Sequence, residues 1–352
     1  MSTARLMQMG AAGIGYHPRP VINVGDVSST YLYTGNGSTQ TITNGIDLAG
    51  EGGLVWNCRR GAVVAITSHE LTDTERGSKS LSTTAADAQV NSSDVTAFNS
   101  NGFSLTAGNT NRSNYNTEQY VSWTFRKAPK FFDCIQYSGN GVSGREIAHN
   151  LNCEVGSIFV KKISAAENWM VFHNSLGTSN DGDGFIRLNT TGAGDNRGRL
   201  LWGDGTNYIA PTSSVFTLHS DASVNASGST YVAYVFAHNG GTGEFGPSYD
   251  QDIITCSSYT GNGSSQTVDC NFTSGAKFVL IKRTDSTGDW YMWDAQRGIV
   301  PGNDPFLKAN TSGAEVTTDD SLDADATGFI VNQNTTTNIN VSSANYIFCA
   351  IA

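Results

Sequence analysis

Charged side chains are scarce in this sequence, at 15% of 352 residues, where an average globular domain carries about 25%. Lys and Arg together number 21, the formal net charge is −10, and no basic run exceeds two residues. Counterion-release binding needs clustered basic groups, so no nucleic-acid partner is expected. No apolar run approaches the roughly 18 residues of a membrane-crossing helix, which argues against membrane insertion. The start of the chain also lacks the continuous apolar stretch of a secretory signal, so folding in a cytoplasm is expected. The six cysteines, at 58, 134, 153, 256, 270 and 349, show neither C-x-x-C nor zinc-ligand spacing. Buried free thiols are expected of them, with a hairpin disulfide in Cys134/Cys153 or Cys256/Cys270 as the other option. There is no G-x-S-x-G elbow and no P-loop. The histidines at 17, 69, 149, 173, 219 and 238 share no repeat position and form no H-x-x-x-H pair. No catalytic residue, cofactor or metal set is therefore expected, and the chain reads as a non-enzyme.

What fills the gap is Gly, Ser, Thr and Asn, with 38% hydrophobic residues, enough to exclude wholesale disorder. The stretch from Gly139 to Gly144 spells G-x-G-x-x-G, the fingerprint of a dinucleotide-binding turn. No amphipathic helix follows it, and the related words "YTGNGSTQTI" from Tyr33 and "YTGNGSSQTV" from Tyr259 lack the third glycine. What recurs is Tyr-x-Gly-Asn-Gly before an alternating run, which reads as a tight hairpin between two strands.

That recurrence exposes an internal repeat. Tyr33, Tyr137 and Tyr259 open three copies, and "YVSWTF" at Tyr120, "YVAYVF" at Tyr231 and "YIFCAI" at Tyr346 close them. Between lie "LVWNCRR", "SIFVKK" and "KFVLIKR", each an apolar strand ending in basic residues. In the closing strands Val121, Trp123 and Phe125, then Val232, Tyr234 and Phe236, then Ile347, Cys349 and Ile351 share a face at period two. The fold expected is all-β: three tandem antiparallel β-sandwich domains, of jelly-roll, laminin-G or concanavalin-like kind, behind an extended N-terminal arm. The boundaries are an arm over 1–26, copies over 27–130, 131–240 and 253–352, and a linker over 241–252. The joint "RKAPKFFDC" is short and holds a proline. The glycine-rich linker is long, so the third copy should move more freely than the second.

Functional candidates are few. Acidic loops, "NDGDG" at 180–184 and "TTDDSLDADATG" at 317–328, raise a Ca²⁺ site or a carboxylate pair of glycosidase type. Trp169, Trp290 and Trp293 lie on matching strands, and alternation should turn one of the last two outward, where it could stack on a sugar. The arm brings Arg5, Leu6, Met7, Met9 and Arg19 ahead of any acidic residue, with glycines and prolines that favour an extended path. It is the expected docking element.

The segments "YLYTGNGSTQTITNGIDLAGEGGLVWNCRR", "DTERGSKSLS", "VTAFNSNGFSL", "EQYVSWTFRKAPKFFD", "REIAHNL", "GSIFVKK", "STYVAYVFAHN" and "FVLIKRTDSTGDWYMWDAQRG" resemble the repeat-containing virion proteins of marine tailed bacteriophages, including cyanophages. The resemblance implies a structural, tail-fibre-like or decoration protein of the virion, made in the host cytoplasm. It would contact other virion proteins through the arm and form a homo-oligomer, a trimer among the arrangements, with host-surface carbohydrate as a further partner. The rival expectation is a carbohydrate-active enzyme, a glycan depolymerase on a β-sandwich scaffold.

Overall fold

Period-two alternation with frequent turn residues does give short antiparallel strands throughout. The computed structural model describes residues 21–61, 69–106, 112–176 and 184–352. The chain is all-β, and it forms three lobes with one strand plan. Each lobe has an opening strand (Ser28–Thr34, Phe132–Ser138, Ile254–Thr260), a central strand (Gly53–Arg59, Val155–Lys162, Phe278–Arg283), a flanking strand (His69–Asp73, Met170–His173, Trp290–Asp294) and a closing strand (Gln119–Arg126, Thr230–Ala237, Asn345–Ile351). These run opening, closing, central, flanking across one large sheet, with a two-residue edge strand added in the second and third lobes. A smaller sheet lies against each: Gln40–Thr43 with Gly102–Leu105 and Val95–Asn99, Arg145–Ala148 with Val215–Leu218, and Gln266–Asp269 with Gly328–Val331 and Leu322–Ala324. The two sheets form the expected antiparallel sandwich.

The opening and closing tyrosines are direct cross-strand partners in every lobe: Tyr33 with Tyr120, Tyr137 with Tyr231, Tyr259 with Tyr346. Their rings stack with centroids 5.2, 5.2 and 4.9 Å apart. The Tyr-x-Gly-Asn-Gly motif that follows is not a hairpin. The strands on its two sides belong to different sheets, so the motif is a corner that carries the chain from the large sheet to the small one. The Asn36, Asn140 and Asn262 amides donate to the side chains of Asn114, Asn225 and Asn340, at 3.0, 3.0 and 2.9 Å. The first glycine is required because a Cβ at Gly35, Gly139 or Gly261 would stand 2.1–2.2 Å from a backbone carbonyl of the loop before the closing strand. A phosphate plays no part in that requirement.

The apolar face of the closing strand does not pack on its own small sheet. In the first lobe the residues facing the small sheet's Ile42, Val95, Phe103 and Leu105 include Val55, and these form a cluster of their own. Leu54, Trp56, Val121, Trp123 and Phe125 point the other way, into a core shared with both other lobes. There Phe125 meets Phe236 of the second lobe at 5.5 Å and Phe278 of the third at 5.9 Å. The three lobes are therefore parts of one body, and the expected freedom of the third copy does not hold. The 241–252 segment is also fixed, by the buried Asp252 carboxylate, which accepts from the Gly241 and Gly243 amides at 2.6 and 2.8 Å.

Trp123 and Phe236 are buried, as the alternation requires. Truncating either to Ala should cost about 3–5 kcal/mol, read by denaturant unfolding. Because the core is shared, unfolding should remain one transition reported by all lobes together. A separate transition for the third lobe would contradict the shared core.

Candidate functional site

Polar groups placed at equivalent positions hold the seams between lobes. His69 and Trp290 open their flanking strands, paired with Cys58 and Lys282, and Trp169 stands just before the second lobe's flanking strand, one residue ahead of Met170, which pairs with Val160. Each donates to a backbone carbonyl of the next lobe: His69 Nε2 to Lys308 at 3.1 Å, Trp169 Nε1 to Ser82 at 2.9 Å, and Trp290 Nε1 to Arg187 at 2.9 Å. First lobe to third, second to first and third to second: the head-to-tail cycle closes after three steps, giving an internal pseudo-threefold ring. Backbone bonds close the ring in the opposite sense, from Gln89 to Ile163, Gly194 to Thr284 and Glu315 to Arg60, at 3.2, 2.8 and 2.8 Å.

Deeper in the seams, Trp123 Nε1 donates to Asp294 at 3.0 Å and Tyr234 donates to Asp73 at 2.7 Å. Each carboxylate also takes the Nε of a fully buried arginine, Arg297 or Arg76, at 2.5 Å. At the third seam the same two positions hold His173 and Leu176, and His173 Nε2 donates to the Phe348 carbonyl at 3.0 Å. Burial lowers both seam histidines, His69 and His173, to about 4, so they work as neutral donors. They are structural groups, not bases.

The tryptophan expectation needs correcting. Trp169, Trp290 and Trp293 are 0%, 3% and 0% exposed. Alternation does put Trp290 and Trp293 on opposite faces, but both faces of the large sheet are covered, one by the seam and one by the lobe's own interior. None of the three offers a ring to a sugar. The docking candidates Arg5, Leu6, Met7, Met9 and Arg19 lie outside the described residues, as does "NDGDG" up to Asp183. The six cysteines are buried and none is in a disulfide, so neither hairpin pair is bridged.

The acidic loop at 317–328 brings Asp320 and Asp323 to Asp304, with a carboxylate oxygen of each within 4.8 Å of the others. Burial, with Asp323 and Asp320 adding to it, raises Asp304 to about 7. Protein donors already meet this group: the Val300 and Leu322 amides on Asp304, the Gly302 amide on Asp323, and Asn332 on both Asp320 and Asp323. These three residues could hold a cation, although five protein N–H bonds already take part of their lone-pair capacity.

Departures from the threefold pattern mark two places. The first is the interior of the first lobe. Asn57 lies between Glu70 and Ser122, where the second lobe has Val160 between Met170 and Ala233 and the third has Ile281 between Tyr291 and Phe348. Asn57 and Glu70 are both fully buried, and among the described residues neither polar atom of the Asn57 side chain has a partner. Glu70 accepts from the Asp94 amide at 3.1 Å and from the Ser113 hydroxyl. Burial and the nearby Asp94 raise it to about 7.

The second is a cleft of about 570 Å³ between the second and third lobes. The equivalent seam between the third and first lobes is closed by Glu315, which binds Arg60 in bidentate fashion at 2.8–3.1 Å and Arg297 at 3.3 Å. Where Glu315 and Arg60 stand there, the cleft has Gly194 and Thr284, and Leu176 replaces the buried arginine. Gly194 takes no positive φ, and a Cβ there would make only ordinary contacts, the nearest 3.4 Å from the Thr284 carbonyl. The backbone does not demand this glycine. Its effect is to leave the cleft open. Asp195 and Asp285 at its rim are each held ionised by an arginine, Arg197 and Arg283.

Replacing Asn57 with Val, the residue of the second lobe, should stabilise the protein by roughly 1–3 kcal/mol, because an unpartnered buried amide is removed. Denaturant unfolding checks it; a loss of stability would show the amide to be satisfied by internal water. For Glu70 the folded carboxyl holds its proton to about 7, while the unfolded one releases it near the ordinary glutamate value of 4.5. Between those values the native state binds more protons, so stability falls as pH rises, by up to about 1.4 kcal/mol per pH unit. Relative to Glu70→Gln, the wild type should lose stability from pH 4.5 to 7 and run parallel above; a flat difference would contradict the burial of this carboxyl.

No curated protein matches the chain at significance. The family model described as "Domain of unknown function (DUF7483)" matches residues 23–352, one span across all three lobes, and the chain belongs to that family.

Proposed function

We propose that this protein is a non-enzymatic structural component of a tailed-bacteriophage virion, displayed on the particle surface as a head or tail fibre or a decoration, and in contact with host-surface glycans. The observation that carries this reading is the closed ring of lobes. Indole, phenol and imidazole groups, which in other settings recognise ligands or transfer protons, are committed here to bonds between lobes. Such a body is rigid and does not depend on a partner to complete its core, which suits a particle-surface building block. The resemblance of its segments to virion proteins supports the same reading. Arg5, Leu6, Met7, Met9 and Arg19 would dock it to other virion subunits.

One observation favours a second reading, a glycan depolymerase. Asp304 is raised to about 7 beside Asp320 and Asp323, and a protonated carboxyl next to further carboxylates is the arrangement of a glycosidase acid.

Mass spectrometry of purified particles should find the chain, and deletion of residues 1–20 should abolish its incorporation while leaving folding intact. Absence from particles would overturn the virion reading. Incubation with host-surface polysaccharide should leave the polymer intact; depolymerisation that Asp304→Asn abolishes would establish the enzyme instead.

A further inference from the structure

We infer that the cleft between the second and third lobes is a binding site for a neutral saccharide of about two rings. This deepens the glycan contact in the proposed function and rests on it only for the ligand's source. The volume, about 570 Å³, lies within the range of roughly 300–1,000 Å³ typical of small-molecule sites. The site exists because the ring departs from its own symmetry. Two positions that carry the salt-bridged Glu315 and Arg60 at the seam between the third and first lobes carry Gly194 and Thr284 here, without any backbone requirement for the glycine.

The lining chemistry points to the ligand class. Leu176 and Ile347 line it with apolar groups, which suit the C–H face of a sugar ring. Thr284, Asn345 and Asn196 add hydroxyl and amide groups that both donate and accept, as a polyol requires. Asp195 and Asp285 are each paired with an arginine, so each rim group is a balanced pair with carboxylate lone pairs and guanidinium N–H groups side by side. A vicinal diol can engage both members of such a pair. A free cation or anion would find the countercharge already present, which disfavours charged ligands.

The test uses the full chain and saturation-transfer NMR with maltose, lactose, cellobiose and N,N′-diacetylchitobiose as neutral probes, and glucosamine and sialic acid as charged ones. At least one neutral disaccharide should bind. The double variant Gly194→Glu with Thr284→Arg, which rebuilds the closed seam, should weaken that binding at least tenfold with an unchanged melting temperature. Asn345→Ala, at an exposed position, should weaken it as well and covers the case in which the double variant fails to fold. The inference is overturned if no neutral probe shows transfer, if only charged probes bind, or if the folded variants bind as the wild type does. The virion reading is judged separately. The cleft variants should still enter particles, so loss of sugar binding with normal incorporation leaves that reading standing, and absence of the wild type from particles defeats it whatever the sugars do.

Discussion

Each large sheet in this protein is covered on both faces, and the rest of the structure follows from that. One face meets the small sheet of its own lobe; the other meets the neighbouring lobes around the pseudo-threefold axis. Burying aromatic groups the size of Trp123, Phe125 and Phe236 supplies a few kcal/mol each. A lobe standing alone would present those groups to water. The same burial penalises a polar group left unpaired at a seam. A buried indole or imidazole N–H without an acceptor costs about 1–3 kcal/mol, so the seam donors of His69, Trp169 and Trp290 must find the carbonyls of Lys308, Ser82 and Arg187. Those bonds contribute less to the total than the apolar contact does. Their larger effect is to fix how the lobes register.

The buried Arg76–Asp73 and Arg297–Asp294 pairs work in the same way. A buried ion pair gains little net stability over a well-packed apolar pair, because desolvation offsets most of the attraction. Here each pair also receives a side chain from another lobe, Tyr234 or Trp123. An error in docking would leave a carboxylate or an arginine uncompensated in the interior, and that penalty is several kcal/mol. The third seam has Leu176 and His173 instead of a pair, and the cleft opens beside it. The seam with the least buried charge is thus the one that leaves space for a ligand.

The sequence made the strands, the repeat and the two-sheet lobes legible, because all three rest on local alternation and on the tyrosines that pair across opening and closing strands. What it hid was the destination of the faces. Period two says that Trp123 and Phe125 share a face, but it does not say whether that face meets the chain's own second sheet or another lobe. A signal was present in "YVAYVFA": with Ala233 and Val235 apolar as well as Val232, Tyr234 and Phe236, the strand is covered on both sides. That pattern already disagrees with a free-standing sandwich and with an outward Trp290 or Trp293. The cleft left no local trace. It appears only when Gly194 and Thr284 are set against Glu315 and Arg60 in the folded ring.

Why the Gly-Asn-Gly corner repeats closely while the seams do not is a matter of which partners each must satisfy. The corner is closed within one lobe, where the same asparagine and the same carbonyl recur, so three lobes reach the same solution independently. A seam joins two different lobes, and its halves need only match each other. Trp123 suits Asp294 with Arg297 beneath its ring at 5.5 Å, and Tyr234 suits Asp73 with Arg76. Cys349, at the equivalent position of the third lobe, has no such donor and faces a seam whose histidine bonds to backbone instead. The lobes share a plan but are not interchangeable: moving the third lobe's closing strand into the first would leave Asp294 without its indole. The order of the copies along the chain is therefore written in the seams, and the glycine motif that reveals the repeat carries no information about it.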